Sequence, residues 1–283
     1  MNTYGFIGLG LIGGSLAKMI KKIEPGSRII CYSRNTDNIR KALEDGIVDE
    51  IADDVSVTGE KCSIIFLCTP VLYFSEIMGI LKKSISEDTI ITDVGSVKQI
   101  PAAFAKNAGL SSFFVGGHPM AGSEKSGYDN SSEDLLKGCV YILTPTDDTD
   151  TKKTERISGI LKALGFELKV TTPYLHDYAV AGISHLPHVS SAALTCAVKD
   201  ADTDDHLMKA FAGNGFKDTT RIAASSPEVW EQICLANSEN IVELLERYIE
   251  KLELMKHFIS EGEGEGIRKM FKDAGNYLNS GKE

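Results

Sequence analysis

Three glycines near the start of the chain constrain its fold more than any other feature. Gly8, Gly10 and Gly13 span the junction between an apolar run over residues 4–8 and a helical stretch over residues 11–22. In such a turn the first glycine permits a tight bend, the second lets the backbone approach a pyrophosphate, and the third lets the helix pack closely on the strand. A second apolar run follows over residues 28–32, so the sequence predicts a Rossmann-type domain that binds a dinucleotide.

The first half of the chain alternates short β-branched runs with helical stretches, which is typical of a parallel sheet covered by helices. The predicted strands are residues 4–8, 28–32, 63–68, 89–93, 113–116, 140–143 and 167–170, and the predicted helices are 11–22, 35–45, 72–83, 98–108 and 151–164. Strand signals stop near Thr172 and Pro173. We therefore predict an α/β fold, with a mostly parallel Rossmann-type sheet over residues 1–172 and an all-helical domain over residues 173–283.

The charge balance limits the partners of this chain. Thirty Lys and Arg against 40 Asp and Glu give a formal net charge of −10, which disfavours binding to nucleic acid or to an anionic membrane surface. No apolar run reaches the roughly 20 residues that span a bilayer, and no targeting segment is recognisable, so we expect a cytoplasmic protein. Six scattered cysteines without a Cys-x-x-Cys pair favour reduced thiols over disulfides or a metal site.

The residues after the second predicted strand bear on the choice of cofactor. An Asp or Glu there would accept hydrogen bonds from the adenosine ribose, whereas this chain has Ser33 and Arg34. Without the carboxylate a 2′-phosphate is not repelled, and Arg34 can pair with it or stack on the adenine. The sequence therefore leans towards NADP, with NAD open and FAD less expected. The other predicted cofactor contacts are Leu11, Ile12, Thr69 and Pro70.

Polar residues follow two later strands at the same predicted edge of the sheet. Ser96 comes after the strand over residues 89–93, and His118 lies in a glycine-rich segment after residues 113–116. At this edge a serine hydroxyl can orient an imidazole that takes a proton from a substrate alcohol. A Ser-His hydrolase is disfavoured because no Gly-x-Ser-x-Gly motif is present. From these residues alone, a purely structural role for His118 is equally expected.

The helical half contributes two further groups. His185 and His188 are three residues apart on one helical face, but no neighbouring carboxylate or cysteine completes a zinc site, so substrate contact or helix packing is favoured. Lys217 and Arg221 concentrate positive charge in an acidic protein. Arg221 can clamp a carboxylate, and the alternative is a surface ion pair with Asp218.

Five blocks in this order carry a resemblance over nearly the whole chain: residues 8–16, 93–98, 117–122, 184–188 and 218–223. In these blocks the sequence resembles the prephenate and arogenate dehydrogenases of tyrosine biosynthesis. The resemblance implies an oxidative decarboxylation of prephenate to 4-hydroxyphenylpyruvate, with a hydride passed to NAD(P). Arogenate is the alternative substrate, because it differs only in carrying an amino group in place of the side-chain keto group.

The same resemblance assigns roles to individual residues. It makes His118 the group that accepts the proton of the ring hydroxyl, with Ser96 supporting it. It places Arg221 on the ring carboxylate and His188 on the pyruvyl side chain. Lys217, Glu124 and His185 then line the same pocket.

The resemblance also implies a homodimer formed through the helical domain, with Trp230 able to reach the partner's site. Apolar residues at alternating steps of four and three from Ile241 to Ile259 predict a helix that packs along another helix. Two rival hypotheses are a β-hydroxyacid dehydrogenase, which normally relies on a lysine in its helical half, and a nucleotide-sensing protein without turnover.

Overall fold

Eight strands form one mixed sheet in the computed structural model, which describes residues 2–123 and 125–280. In chain order they are β1 (Thr3–Ile7), β2 (Arg28–Tyr32), β3 (Glu50–Ile51), β4 (Ile64–Leu67), β5 (Ile90–Asp93), β6 (Phe114–Pro119), β7 (Val140–Thr144) and β8 (Glu167–Val170). Their order across the sheet is β3-β2-β1-β4-β5-β6-β7-β8. All neighbours are parallel except β6 and β7, which pair antiparallel.

The helices of the first half connect these strands. They are α1 (Leu11–Ile23), α2 (Asp37–Glu44), α3 (Val55–Lys61), α4 (Phe74–Leu81), α5 (Gln99–Ala108) and α6 (Thr151–Ala163). After β8 the described chain is helical, with α7 (Pro173–Val180), α8 (Leu186–Ala201), α9 (Leu207–Ala210), α10 (Asn214–Thr220), α11 (Pro227–Ala236), α12 (Ser238–Ser260) and α13 (Gly264–Asn279). A π-helical turn, Ala181–His185, joins α7 to α8. None of the helices in the described chain is both long and apolar enough to cross a membrane.

The centre of the sheet is apolar on both faces, as expected for parallel strands covered by helices. Every residue of β4 is buried, and the rings of Phe6 in β1 and Phe66 in β4 stack with their centroids 5.1 Å apart. The chain leaves β1 on one side towards β2 and returns on the other side as β4. The switch point between β1 and β4 is where an open α/β sheet binds its ligand.

All seven predicted strands are present, and the predicted Rossmann sheet is confirmed. Among the strands and α-helices described in the first half, β3 and α3 were not predicted. The strand β3 has two residues, and α3 has a β-branched sequence of low helix propensity that is started by Asp54, whose side chain accepts from the Ser56 N–H. The strand β6 is longer than predicted, because its pairing with β7 continues to Pro119 after its pairing with β5 has ended.

The transition from sheet to helices occurs where the sequence changes. Thr172 is the N-cap of α7, and its hydroxyl accepts from the Leu175 N–H. We propose the domain boundary at this residue. The last two helices, α12 and α13, pack against each other but leave apolar side chains exposed, among them Leu252, Ile259 and Phe271. The predicted seam on α12 is therefore only partly covered within one chain.

A buried ion pair joins the ends of β5 and β6. The Lys98 ammonium pairs with Asp93 and also donates to the Gly117 carbonyl at 2.6 Å, while the other Asp93 oxygen accepts from the Gly117 N–H at 3.0 Å. A side chain at position 117 would lie 2.7 Å from the Asp93 carbonyl oxygen, so only glycine fits between these groups. The clamp fixes the backbone immediately before His118.

Replacing Lys98 with Met should lower the free energy of unfolding by about 3–5 kcal/mol, because the buried Asp93 carboxylate would lose its cation. Lys106→Met is the matched control, since Lys106 is exposed on α5. Urea unfolding of both variants at neutral pH measures the effect. Equal losses in the two variants would contradict a stabilising role of the pair.

Candidate functional site

The glycine turn has the geometry that its sequence predicts. Gly8 has a φ of +89°, and its N–H donates to the Tyr32 carbonyl at 2.7 Å. A Cβ on Gly10 would meet nothing within 4 Å, which leaves the start of α1 open to a ligand. A Cβ on Gly13 would lie 3.1 Å from the Cys68 side chain, so the third glycine brings α1 close to the end of β4.

Two cavities flank this turn. The first, about 360 Å³, contains Ser33, Arg34 and Tyr73, and the Arg34 guanidinium lies 4.0 Å above the centre of the Tyr73 ring. The second, about 530 Å³, lies between the Rossmann sheet and α11 of the helical half and contains Ser96 and Gln232. Every predicted cofactor residue lines at least one of them: Gly8, Gly10, Leu11, Ile12, Gly13, Ser33, Arg34, Thr69 and Pro70.

These residues fit an extended anionic cofactor. The start of α1 has no capping side chain and no acidic residue in its first turn, so its backbone N–H groups and the positive end of its dipole face the open space beside Gly10. The two cavities meet at Gly10, Thr69 and Pro70. A dinucleotide with its pyrophosphate at this point would place one nucleoside in each cavity.

His118 lies within β6, whereas the sequence predicts it in a glycine-rich segment after the end of that strand. It is 9% exposed and lines neither cavity, but Ala121, three residues later, lines the second. Its Nδ1 lies 2.8 Å from Nε2 of His176. Within residues 2–123 and 125–280 Nε2 of His118 has no hydrogen-bond partner, which leaves this nitrogen available to a ligand.

The partner of His118 differs from the predicted one. The sequence assigns the orienting hydrogen bond to Ser96, whereas the structure gives that bond to His176, and Ser96 lies half-buried in the wall of the second cavity. Nδ1 of His176 in turn contacts Asp177 at 2.8 Å. Neither His176 nor Asp177 was predicted from the sequence. The available signal was a histidine followed by an acidic residue, three positions after the Thr-Pro start of a helix.

Four histidines succeed one another from the sheet edge into the helical half, and we call His118, His176, His185 and His188 the histidine row. Electrostatic coupling links each member to the next. Desolvation lowers the pKa of all four, to about 4 for His185, and lowers that of His118 well below its ordinary value. The Lys98 and Arg221 charges act in the same direction on His118 and His188 respectively. The histidine row is therefore neutral at physiological pH.

The helical half fixes the last two members of the row. His188 donates from Nδ1 to the Ser184 carbonyl at 2.8 Å, and its ring stacks on Trp230 with centroids 3.9 Å apart. His185 accepts from the Asn237 amide at 3.1 Å through Nδ1. Its proton then lies on Nε2, which is buried without a partner. Buried polar groups are usually hydrogen-bonded, so this N–H is able to donate to an acceptor that binds beside it.

The remaining predicted substrate contacts are placed less deeply. Arg221 begins the short 3₁₀ turn Arg221–Ala224, which packs against α8, and it is near enough to lower the pKa of His188. Lys217 is exposed on α10. Glu124 lies outside the described residues. Within residues 2–123 and 125–280, no group of three His, Cys, Asp or Glu side chains could hold a metal ion.

A Rossmann sheet with two cavities across its glycine turn, and a buried neutral imidazole beside them, defines the class of dinucleotide-dependent dehydrogenases. Two family models match the chain: the nucleotide-binding domain of prephenate dehydrogenase over residues 16–170, and the dimerization domain of prephenate dehydrogenase over residues 172–273. The chain belongs to the prephenate dehydrogenase family.

Individual relatives agree with this assignment. Prephenate dehydrogenase of Bacillus subtilis is 36% identical over 98% of this chain and 75% of its own length. The crystal structure of prephenate dehydrogenase from Aquifex aeolicus, in complex with hydroxyphenyl propionate and NAD+, has a TM-score of 0.90 and 35% identity over 98% of both chains. The crystal structure of Synechocystis arogenate dehydrogenase has a TM-score of 0.83 and 35% identity, covering 97% of this chain and 98% of that chain.

The low pKa of His185 predicts acid sensitivity of the fold. Between the ordinary histidine pKa of 6.5 and about 4, the unfolded chain binds a proton at His185 that the folded protein does not, so stability falls as the pH decreases through this window. At pH 5 the loss is about 2 kcal/mol. The free energy of unfolding should therefore fall by about that much less in His185→Gln than in the wild type between pH 7 and pH 5. If the free energies of unfolding of the two proteins differ by the same amount at pH 7 and at pH 5, His185 has its ordinary pKa in the folded protein.

Proposed function

We propose that the protein oxidises and decarboxylates prephenate to 4-hydroxyphenylpyruvate with NAD(P). The observation that carries the proposal is the neutral histidine row, which runs from His118 at the sheet edge to the neighbourhood of Arg221. It offers one group that can accept a proton and, at its other end, groups that can hold an anion. The prephenate dehydrogenases among the relatives support the choice of substrate.

The chemistry of this substrate needs few protein groups. A nicotinamide cofactor supplies the acceptor for the hydride that leaves the ring carbon bearing the hydroxyl. The hydroxyl gives up its proton as the hydride leaves, and the bond to the ring carboxylate breaks to release carbon dioxide. The ring becomes aromatic, and its oxygen takes the proton back to give the phenol. The protein must therefore accept one proton and hold a dianion in a fixed orientation.

His118 is the proposed proton acceptor. Burial and the nearby Lys98 charge lower its pKa, so that its imidazole is neutral and can accept a proton at neutral pH. The Asp93–Lys98 clamp fixes the residue before it, and His176 fixes its ring. Ser96, in the wall of the second cavity, is proposed to donate to the same substrate hydroxyl.

The helical half is proposed to hold the two carboxylates. Arg221 can clamp the ring carboxylate with paired hydrogen bonds, and His188 can contact the pyruvyl side chain from beside Trp230. The unpartnered Nε2–H of His185 is a further donor for an anion. Lys217 and Glu124 remain proposed members of the pocket. Such local donors are required because the chain as a whole carries a charge of −10.

A homodimer is proposed to complete the enzyme. The second family model is a dimerization domain, and the exposed apolar side chains of α12 and α13 form a surface of the kind that a partner helix covers. In this structure Trp230 stacks on His188 of its own chain. A contact of Trp230 with the partner's site therefore remains a proposal.

Arogenate is the second candidate substrate, favoured by the similarity to Synechocystis arogenate dehydrogenase. The test is to follow nicotinamide reduction with prephenate and with arogenate, each with NAD and with NADP. We expect reduction with prephenate. Faster turnover of arogenate would move the assignment to that substrate, and no reduction in any mixture would favour a nucleotide sensor.

Replacing His118 with Ala should lower kcat by about 10²–10⁴-fold, because the reaction loses its general base. Binding of the dinucleotide should persist, since His118 lines neither cavity. Steady-state kinetics measure the first effect and fluorescence titration of the reduced cofactor measures the second. Unchanged turnover would mean that another group accepts the proton.

NADP is the proposed preferred cofactor. Ser33 puts no carboxylate where the ribose would bind, and Arg34 is exposed beside the first cavity with its guanidinium over Tyr73. Glu76 lines the same cavity and is the acidic group that a 2′-phosphate would have to avoid.

Replacing Ser33 with Asp should shift the ratio of kcat/KM for NADP to that for NAD towards NAD by about tenfold or more, because the carboxylate would repel the 2′-phosphate. Ser33→Asn is the matched control, since it adds similar bulk without charge. An unchanged ratio in Ser33→Asp would show that Ser33 does not face the ribose, and an equal change in both variants would show that bulk and not charge causes the shift.

A further inference from the structure

Behind His118 a chain of two hydrogen bonds leads away from the site. Nδ1 of His118 lies 2.8 Å from Nε2 of His176, and Nδ1 of His176 lies 2.8 Å from Oδ1 of Asp177. All three side chains are buried. The chain runs from β6 of the Rossmann sheet to the first turns of α7, so it crosses from one half of the protein to the other.

The acceptor at the end of this chain determines where each proton lies. A carboxylate oxygen can only accept, so Nδ1 of His176 carries a proton. Burial lowers the pKa of His176, and a neutral ring with a proton on Nδ1 has a lone pair on Nε2. That lone pair must accept from Nδ1–H of His118. Nε2 of His118 is then the unprotonated nitrogen, and it is the one without a hydrogen bond to another described residue.

Asp177 is held rigidly for this task. Its Oδ1 accepts from the Lys98 N–H at 2.7 Å, and its Oδ2 accepts from the Gln99 N–H at 2.9 Å, at the positive end of α5. Its carbonyl accepts from the Asn237 amide at 2.8 Å. The carboxylate therefore keeps one orientation, and the His176 ring is directed by it.

Among the described charged groups around His118 and His176, Asp177 is the one that can balance a positive charge on the two rings. The titratable groups that face His118 are His176 on α7, Lys98 before α5 and His185 in the π-helical turn, and those that face His176 also include Asp93. Asp93 is already paired with Lys98. Within the described chain, Asp177 is therefore the carboxylate among these groups that hydrogen-bonds to one of the two histidines, His176.

We propose that His176 and Asp177 are positioning residues for the dehydrogenation, which hold His118 in the tautomer with Nε2 free and stabilise the imidazolium that forms there. The inference rests on the proposed function. The substrate hydroxyl proton moves to Nε2 of His118 as the hydride leaves, and Nδ1–H remains hydrogen-bonded to His176. Nε2 then returns the proton to the ring oxygen when loss of carbon dioxide turns the ring into a phenol. No proton needs to travel along the chain.

Two substitutions of His176 separate this role from simple packing. In His176→Gln the side-chain amide oxygen can still accept from Nδ1–H of His118, whereas His176→Leu fills similar space without an acceptor. We expect kcat of His176→Leu to fall about 10²–10³-fold, with KM changed less than about threefold, because the tautomer is lost while the binding groups stay. His176→Gln should recover kcat to within about tenfold of the wild type. Equal losses in both variants, or a loss confined to KM, would overturn the proposal.

A spectroscopic measurement tests the same inference without substrate. Nitrogen-15 NMR of the histidine-labelled full chain, with His118→Gln used to assign the signal, should show His118 protonated on Nδ1 and unprotonated on Nε2. In His176→Leu this tautomer should no longer dominate. A wild-type His118 with its proton on Nε2 would refute the inference even if prephenate is turned over. The expected spectrum with no turnover would instead refute only the proposed function.

Discussion

Lys98 is the residue on which the geometry of the site depends. Its ammonium is completely buried, pairs with Asp93 and holds the carbonyl of Gly117, and its backbone N–H donates to Asp177 on α7. One residue thus joins the ends of two strands to the first helix of the other half. Burial lowers its pKa while Asp93 opposes that effect, and the ion pair is kept because either charge alone would be costly in this interior.

The fold was largely readable from the sequence because its signals are local. Gly8, Gly10 and Gly13 each have a conformational or packing reason within a few residues of chain, and the alternation of apolar runs fixes the order of elements. The elements that were missed are short. The two-residue β3 has no period to detect, and α3 depends on its Asp54 cap more than on its composition.

The site was less readable because its contacts join distant residues. His118 was found from its glycine-rich surroundings, but its partner His176 is 58 positions away and reaches it only when α7 packs on the sheet. Likewise, His118 lies within β6 because that strand pairs with its antiparallel neighbour β7, and no sequence pattern around residue 118 predicts this pairing. Ser96 has the residue type expected of a partner and lies at the right edge, yet the hydrogen bond belongs to another side chain.

The π-helical turn between α7 and α8 adds one residue to a turn of helix and rotates everything after it. His176 and Asp177 stand before it and His188 after it, so the extra residue affects the direction in which His188 points relative to His176. In an α-helix a single residue corresponds to about 100° of rotation. The number of residues between positions 177 and 188 therefore matters as well as their identity, because a one-residue deletion there would turn α8, and His188 with it, by about that angle.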